Sequence, residues 1–195
     1  MSSLLSLPAE LRSQIYEDVF QGWVIAIRPN LQDQDRLEAD IWSVTNDPFQ
    51  TLGRQAMSQA NKQSNPFSLL YTCRQIHAEA RHLPCRLNTL LCGEKPVPYA
   101  WLVSLREQLA QVRTLQLCSY TPANLTLSRT WLRMLPWFTG LRKVEVYWQL
   151  SIPSWGEEED HMATALRDEA EMEFKIRKTA PTTHVVVFHR IVCSE

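Results

Sequence analysis

From residue 87 onward, short apolar runs alternate with stretches of helical periodicity, and that alternation narrows the architectures open to the chain. Residues 87–92, 114–119, 141–148 and 184–192 read as strands. Residues 99–111, 128–138 and 157–178 read as helices. Leu102, Leu105, Leu109 and Val112 make one apolar stripe, and Trp131, Leu132, Leu135 and Phe138 make a second. The third helix has acids at its start and Lys175, Arg177 and Lys178 at its end, as the helix dipole favours. Such alternation implies βαβ units and a largely parallel sheet. The run 184–192 is apolar on both faces, which predicts a central strand. Val112-x-x-Leu115-x-Leu117 recurs as Leu141-x-x-Val144-x-Val146. This is the spacing of a leucine-rich-repeat strand, and equally that of ordinary parallel-sheet patterning. The expected fold class is α/β, with a mixed, largely parallel sheet that is leucine-rich-repeat-like on the first of those readings.

The first ninety or so residues read differently. Residues 6–20 predict a helix with Pro8 in its first turn and Glu10 near its positive end. Leu7, Leu11, Ile15 and Val19 recur every four residues, and Tyr16 and Phe20 widen the stripe. Gly22 ends the helix, and residues 23–27 predict a strand. Residues 28–64 are rich in Gln, Asn and Asp with scattered apolar positions, which predicts a mobile polar insertion pinned by Trp42 and Phe49. A second helix follows, with Asn65 as its cap and Pro66 in its first turn. Leu69, Leu70, Cys73, Ile76, His77, Ala80 and Leu83 share one face, and Pro84 stops the helix. Neither helix is long enough to be stable alone. Leu11 and Ile15 are therefore expected to pack in one cluster with Cys73, Ile76 and Ala80. The domain reading is a helical module over 1–92, with its insertion at 28–64, followed by a strand–helix region over 93–195.

Composition excludes several functions. The net charge is −1 and no basic block exceeds the pairs Arg142-Lys143 and Arg177-Lys178. That argues against a nucleic-acid footprint or an anionic-membrane patch. No apolar run approaches the roughly 20 residues that span a bilayer, and the N-terminus does not read as a signal peptide. Five Cys without framework spacing suit reduced thiols in the cytoplasm or nucleus. Cys73, His77, His82 and Cys85 match no common zinc module, so core packing is the expectation and no metal is predicted. His184, lying opposite His189 and Cys193 on a strand, makes no joint site with them. The five Gly form no phosphate-binding loop. A nucleophilic Cys73 placed mid-helix on an apolar face is a poor reactive thiolate. No enzyme activity, catalytic residue or cofactor is expected.

Leu7-Pro-Ala-Glu-Leu-Arg-Ser-Gln-Ile-Tyr16 resembles the opening of an F-box. It looks most like the F-box-like proteins of filamentous fungi, which pair such an opening with a later L-L-x-x-C-R-Q-I-x-x-E-[AS] and then N-T. Here those pieces are Leu69 to Ala80 and Asn88-Thr89. The resemblance covers about the first half of the chain. It implies a protein-interaction adaptor in which Leu7, Pro8, Leu11 and Ile15 contact the Skp-type adaptor of a cullin ubiquitin ligase. The C-terminal half would then recruit a substrate protein. The alternative is a stand-alone scaffold or interaction protein that keeps these helices as core.

Overall fold

Six strands form a sheet in the computed structural model, which describes residues 4–29, 37–43, 66–92, 103–119, 134–152 and 158–193. The strands are β1 (Trp23–Pro29), β2 (Leu37–Ser43), β3 (Thr89–Cys92), β4 (Thr114–Ser119), β5 (Lys143–Ile152) and β6 (His184–Cys193). Their order is β2-β1-β3-β4-β5-β6. Only the β1–β2 pair is antiparallel, and the other four pairings are parallel. The expected α/β class with a mixed, largely parallel sheet is what the chain adopts.

The helices are α1 (Ala9–Phe20), α2 (Arg74–Ala80), α3 (Leu83–Leu87), α4 (Arg106–Leu109) and α5 (Glu158–Thr179), with 3-10 turns at Leu4–Ser6, Pro66–Tyr71 and Leu135–Trp137. Their buried apolar side chains, among them Tyr16, Phe20, Ile76, Leu83, Leu109, Leu135 and Ile176, all join one core cluster. The sheet contributes Ile25, Leu90, Cys92, Leu115, Leu117, Val144 and Val146 to it. Side chains alternate along a strand, so the intervening residues Val24, Leu91 and Tyr147 gather in a small second cluster. From β1 onward the parallel strands follow chain order, with their crossover helices on the first face. That is the result of successive crossovers of one hand.

The internal echo is a lateral register. Leu115 pairs with Val144 and Leu117 with Val146, and the offset of 29 residues carries Gln116 onto Glu145 in the same ladder. Val112 and Leu141, the first positions of the two copies, are both buried.

The structure corrects several expectations. Residues 28–64 contain a strand, β2, paired along its whole length with β1. Its Glu38, Asp40 and Ser43 hid it from a reading based on apolar runs. The run 184–192 lies at the sheet edge, not in its centre. Two-sided apolarity reports cover on two faces, not a neighbour on each side. Val185 and Val187 pack on the main core, while Phe188 stacks on Tyr147 with ring centroids 4.7 Å apart.

The second helix is three pieces. Cys73 is extended and caps α2, its sulfur accepting from the Ile76 N–H at 3.5 Å. Pro84 does not end a helix but sits in the first turn of α3, where its missing N–H costs nothing. Leu87 closes α3, so the strand begins only at Thr89. Of the predicted helices at 99–111 and 128–138, the described residues show α4 and the 3-10 turn Leu135–Trp137. Asn65, Phe49, Trp131, Leu132, Trp155 and Leu102 lie outside the described residues. The sheet runs without interruption across residue 92, since β3 pairs with β4. No described helix is long and apolar enough to cross a membrane.

Candidate functional site

Pro8 has φ −52° and ψ 148°, so it caps α1 from outside rather than filling its first turn. The helix ends at Gln21, and Gly22 follows at φ +83°, the left-handed conformation that spares only a residue without Cβ. Between these ends α1 divides into two faces.

The inner face holds Arg12, Tyr16 and Phe20. Phe20 is fully buried and Tyr16 nearly so. Phe20 lies 6.5 Å from the Tyr16 ring and 5.9 Å from Phe67. Arg12 is drawn inward by Glu79 of α2. Its Nε donates to Oε2 at 3.0 Å and its Nη2 to Oε1 at 2.7 Å, a two-pronged pair. The same carboxylate accepts from the Tyr16 hydroxyl at 3.0 Å and from Gln75 Nε2 at 3.0 Å. A carboxylate has about four acceptor positions, and here four donors occupy them. Arg12 also donates through Nη1 to the Leu7 carbonyl, fixing the turn before the helix. The bonds from Arg12 and then Gln75 hold the Glu79 carboxyl down at about 2. The bond to Glu79 raises Arg12 in turn, and burial pushes the Tyr16 hydroxyl up.

A second tie lies at the other end of α1. Asn88 is buried between α3 and β3. Its Nδ2 donates to the carbonyls of Phe20 and Pro84, and its Oδ1 accepts from the Trp23 N–H at 2.9 Å. On the surface, Arg86 reaches Glu17 at 2.9 Å. Arg12 and Tyr16 belong to the first sequence motif, Gln75 and Glu79 to the second, and Asn88 opens the N-T pair. The motif residues are thus brought together, and they join α1 to α2, α3 and the sheet.

The exposed side of α1 carries Glu10, Gln14, Glu17 and Asp18, with an apolar strip beside them. Leu11 is 46% exposed, Leu5 and Val19 are each 37% exposed, and Pro8 is exposed. Leu7 and Ile15 are half-buried. The expected cluster of Leu11 and Ile15 with Cys73, Ile76 and Ala80 therefore fails at both α1 positions: Leu11 is exposed, and Ile15 is half-buried and is not part of the core cluster. Ile76 and Ala80 are buried, Cys73 packs against them, and Tyr16 and Phe20 take the place given to Leu11. The docking residues that the resemblance implies, Leu7, Pro8, Leu11 and Ile15, lie on one strip of α1 and the turn before it.

On the sheet face away from α1, Glu145 accepts from Gln116 Nε2 at 2.6 Å and from the Tyr147 hydroxyl at 3.3 Å, and pairs with Lys143 at 2.6 Å. Burial opposes its charge, but the bonds from Lys143 and Gln116 outweigh burial and hold the carboxyl below the usual range. These residues sit in adjacent register positions, so the network braces β4 against β5. Burial pushes the Cys85 thiol up to about 11, which makes it an inert core group. Among the described residues no three His, Cys, Asp or Glu side chains converge as a metal site. His189 and Cys193 side chains, and those of Trp42 and Trp148, lie outside the described ones.

Searches of curated proteins and of solved structures find no match. One family matches, a domain of unknown function (DUF7730), over residues 1–149. The match takes in α1, both motifs and the sheet as far as β5. It ends within that strand, so α5 and β6 lie beyond it. With its fold-forming motifs inside the matched region and most of its length covered, the chain belongs to the DUF7730 family.

Proposed function

We propose that the chain is an F-box-like interaction adaptor that docks through the outer strip of α1, with Leu7, Pro8, Leu11 and Ile15 as contact residues. The observation that carries the reading is the exposure of Leu11 at 46% beside Leu5 and Pro8, on a helix whose core positions are already filled by Tyr16 and Phe20. Exposed apolar residues that gather into a patch mark partner sites, and this strip is the candidate patch on α1. The partner implied by the resemblance is a Skp-type adaptor of a cullin ubiquitin ligase, with the strand–helix region left to recruit a substrate protein. Purified chain is mixed with that adaptor and binding is read by calorimetry. The wild type binds, and Leu7→Ala with Pro8→Ala abolishes binding while leaving Tm nearly unchanged. A folded wild type that does not bind the adaptor defeats the proposal.

One observation favours a second reading, a stand-alone scaffold. Arg12 and Tyr16 of the first motif are spent on Glu79, so part of the motif is accounted for by folding alone. Unfolding of the double variant, in place of lost binding, supports this reading.

A further inference from the structure

The apolar strip of α1 has an acidic border. Leu11, Ile15 and Val19 stand four residues apart, and Glu10, Gln14 and Asp18 form the row beside them. Gln14 follows Leu11 by three residues and Asp18 follows Ile15 by three, the spacing of neighbours on a helix surface. All three bordering side chains are exposed. On the strip's other side Arg12, Tyr16 and Phe20 turn inward. The nearby cations are already engaged, Arg12 with Glu79 and Arg86 with Glu17. Among the described residues no cation pairs with Glu10 or Asp18, and Asp18 meets the neutral amide of Gln21 at 3.5 Å. Folding accounts for Glu10, which lies in the first turn of α1, where the helix dipole favours a carboxylate. Asp18 lies near the other end, where the dipole opposes it and the last turn holds no basic residue to answer it. Its charge is a local cost to the fold, of the kind expected where a surface serves a partner.

We propose that the partner seated on this strip is a protein segment whose apolar contact stripe is bordered by Lys or Arg, set against Glu10 and Asp18. The inference rests on docking at the outer strip of α1 and adds the charge of what docks there. Apolar burial at Leu5, Leu11 and Val19 holds the complex together, while charge along the rim speeds encounter and rejects wrong partners. The same row argues against other occupants. A second copy meeting this one across a two-fold axis presents the same patch, and so brings a second acidic row to the contact. An anionic lipid surface repels the row. A segment bordered by acids sets like charges side by side.

The test uses full chain and two synthetic helical peptides with the same Leu stripe at i, i+3, i+4 and i+7. One peptide carries Lys along both borders of the stripe and the other carries Glu. Binding of each is read by fluorescence anisotropy. At about 20 mM salt the Lys peptide should bind about 2- to 10-fold more tightly, the value of one or two exposed charge pairs. The gap should close at about 0.5 M salt, where screening acts over a few Å. Glu10→Lys with Asp18→Lys, both at exposed positions, should reverse the order of the two peptides. Leu11→Ser should weaken both, which places them on the strip. Equal binding at low salt, an order that survives the charge reversal, binding unmoved by Leu11→Ser, or no binding of either peptide each overturns the proposal. The Skp-type adaptor separates this inference from the docking it rests on. Adaptor binding that Glu10→Gln with Asp18→Asn leaves unchanged, in rate and in salt dependence, defeats the acidic border alone. A Lys preference in a chain that never binds the adaptor supports the border and defeats the adaptor reading.

Discussion

The orientation of α1 decides whether its apolar strip is core or surface, and a pair of truncations reads it directly. Phe20 is fully buried and touches the rings of Tyr16 and Phe67. Truncating such a ring removes its transfer energy and leaves a cavity, so Phe20→Ala should cost about 3–5 kcal/mol. In a chain of this length each kcal/mol lowers Tm by ~2–4 °C, which gives a fall of about 6–20 °C. Leu11 is 46% exposed. Roughly half of the ~1.5–3 kcal/mol gained by full burial is therefore at stake. Alanine keeps part of that contact and returns a few tenths through its higher helix propensity. Leu11→Ala should then cost no more than about 1 kcal/mol. Urea titrations followed by circular dichroism and by tryptophan fluorescence measure both, with coincident transitions as the check on two-state unfolding. Leu11→Ala as damaging as Phe20→Ala would mean that α1 is rotated and that the Leu11 row is core.

Other outcomes follow from the joints around α1 and β5. Glu79 is held at about 2 against an ordinary value of 4.5, so its contribution is present in full above about pH 4.5 and is lost as pH falls toward about 2. The gap in Tm between wild type and Glu79→Gln should therefore narrow across that window; a gap constant with pH contradicts the clamp. Asn88→Ala strands the Trp23 N–H and two carbonyls in the interior, for a loss of about 2–4 kcal/mol in a urea titration. Asn88→Asp should not rescue it, because a carboxylate would face the carbonyls of Phe20 and Pro84, and a loss below about 0.5 kcal/mol for Ala would refute the role. A Cβ on Gly140 would lie 2.7 Å from the Ala110 carbonyl oxygen, so Gly140→Ala should cost about 1–3 kcal/mol, and a neutral Tm would show that this approach is not tight.

What the sequence disclosed was the part governed by local patterning. β4 and β5 follow from apolar spacing within each strand, α5 from the sign of the charges at its two ends, and the β4–β5 register from the repeat of one apolar spacing in the other. What it concealed depended on partners far along the chain. Arg12 reads as surface until Glu79, 67 residues away, takes both ends of its guanidinium. With Arg12, Tyr16 and Phe20 inward, Leu11 comes out while Leu7 and Ile15 stay half-buried, so the apolar row sits at the side of the helix and not in the core. β2 was missed for the same reason, since its register with β1 is a long-range fact and its sequence alternates charge with apolar residues. The break at Cys73 was hidden because a thiol is a poor N-cap by type, and the cap is evident only from its bond to Ile76.

The residues that make this sequence recognisable are largely those the fold consumes. Arg12, Tyr16 and Gln75 fill the acceptor positions of Glu79, and Asn88 is satisfied on both ends of its amide. A saturated carboxylate with its pKa forced down is a poor acid, base or ligand, because it has neither a free lone pair nor a proton to exchange near neutrality. Chemistry at the motif itself is thereby disfavoured on physical grounds. The docking proposed for this chain falls instead on positions that folding leaves over, with Leu5, Leu11 and Val19 exposed. Clamping α1 by its inner face costs ordering entropy once, at folding, and the outer row is then held on a rigid helix with less left to order when a partner arrives. A weakened clamp should accordingly reduce partner affinity even where every contact residue is intact.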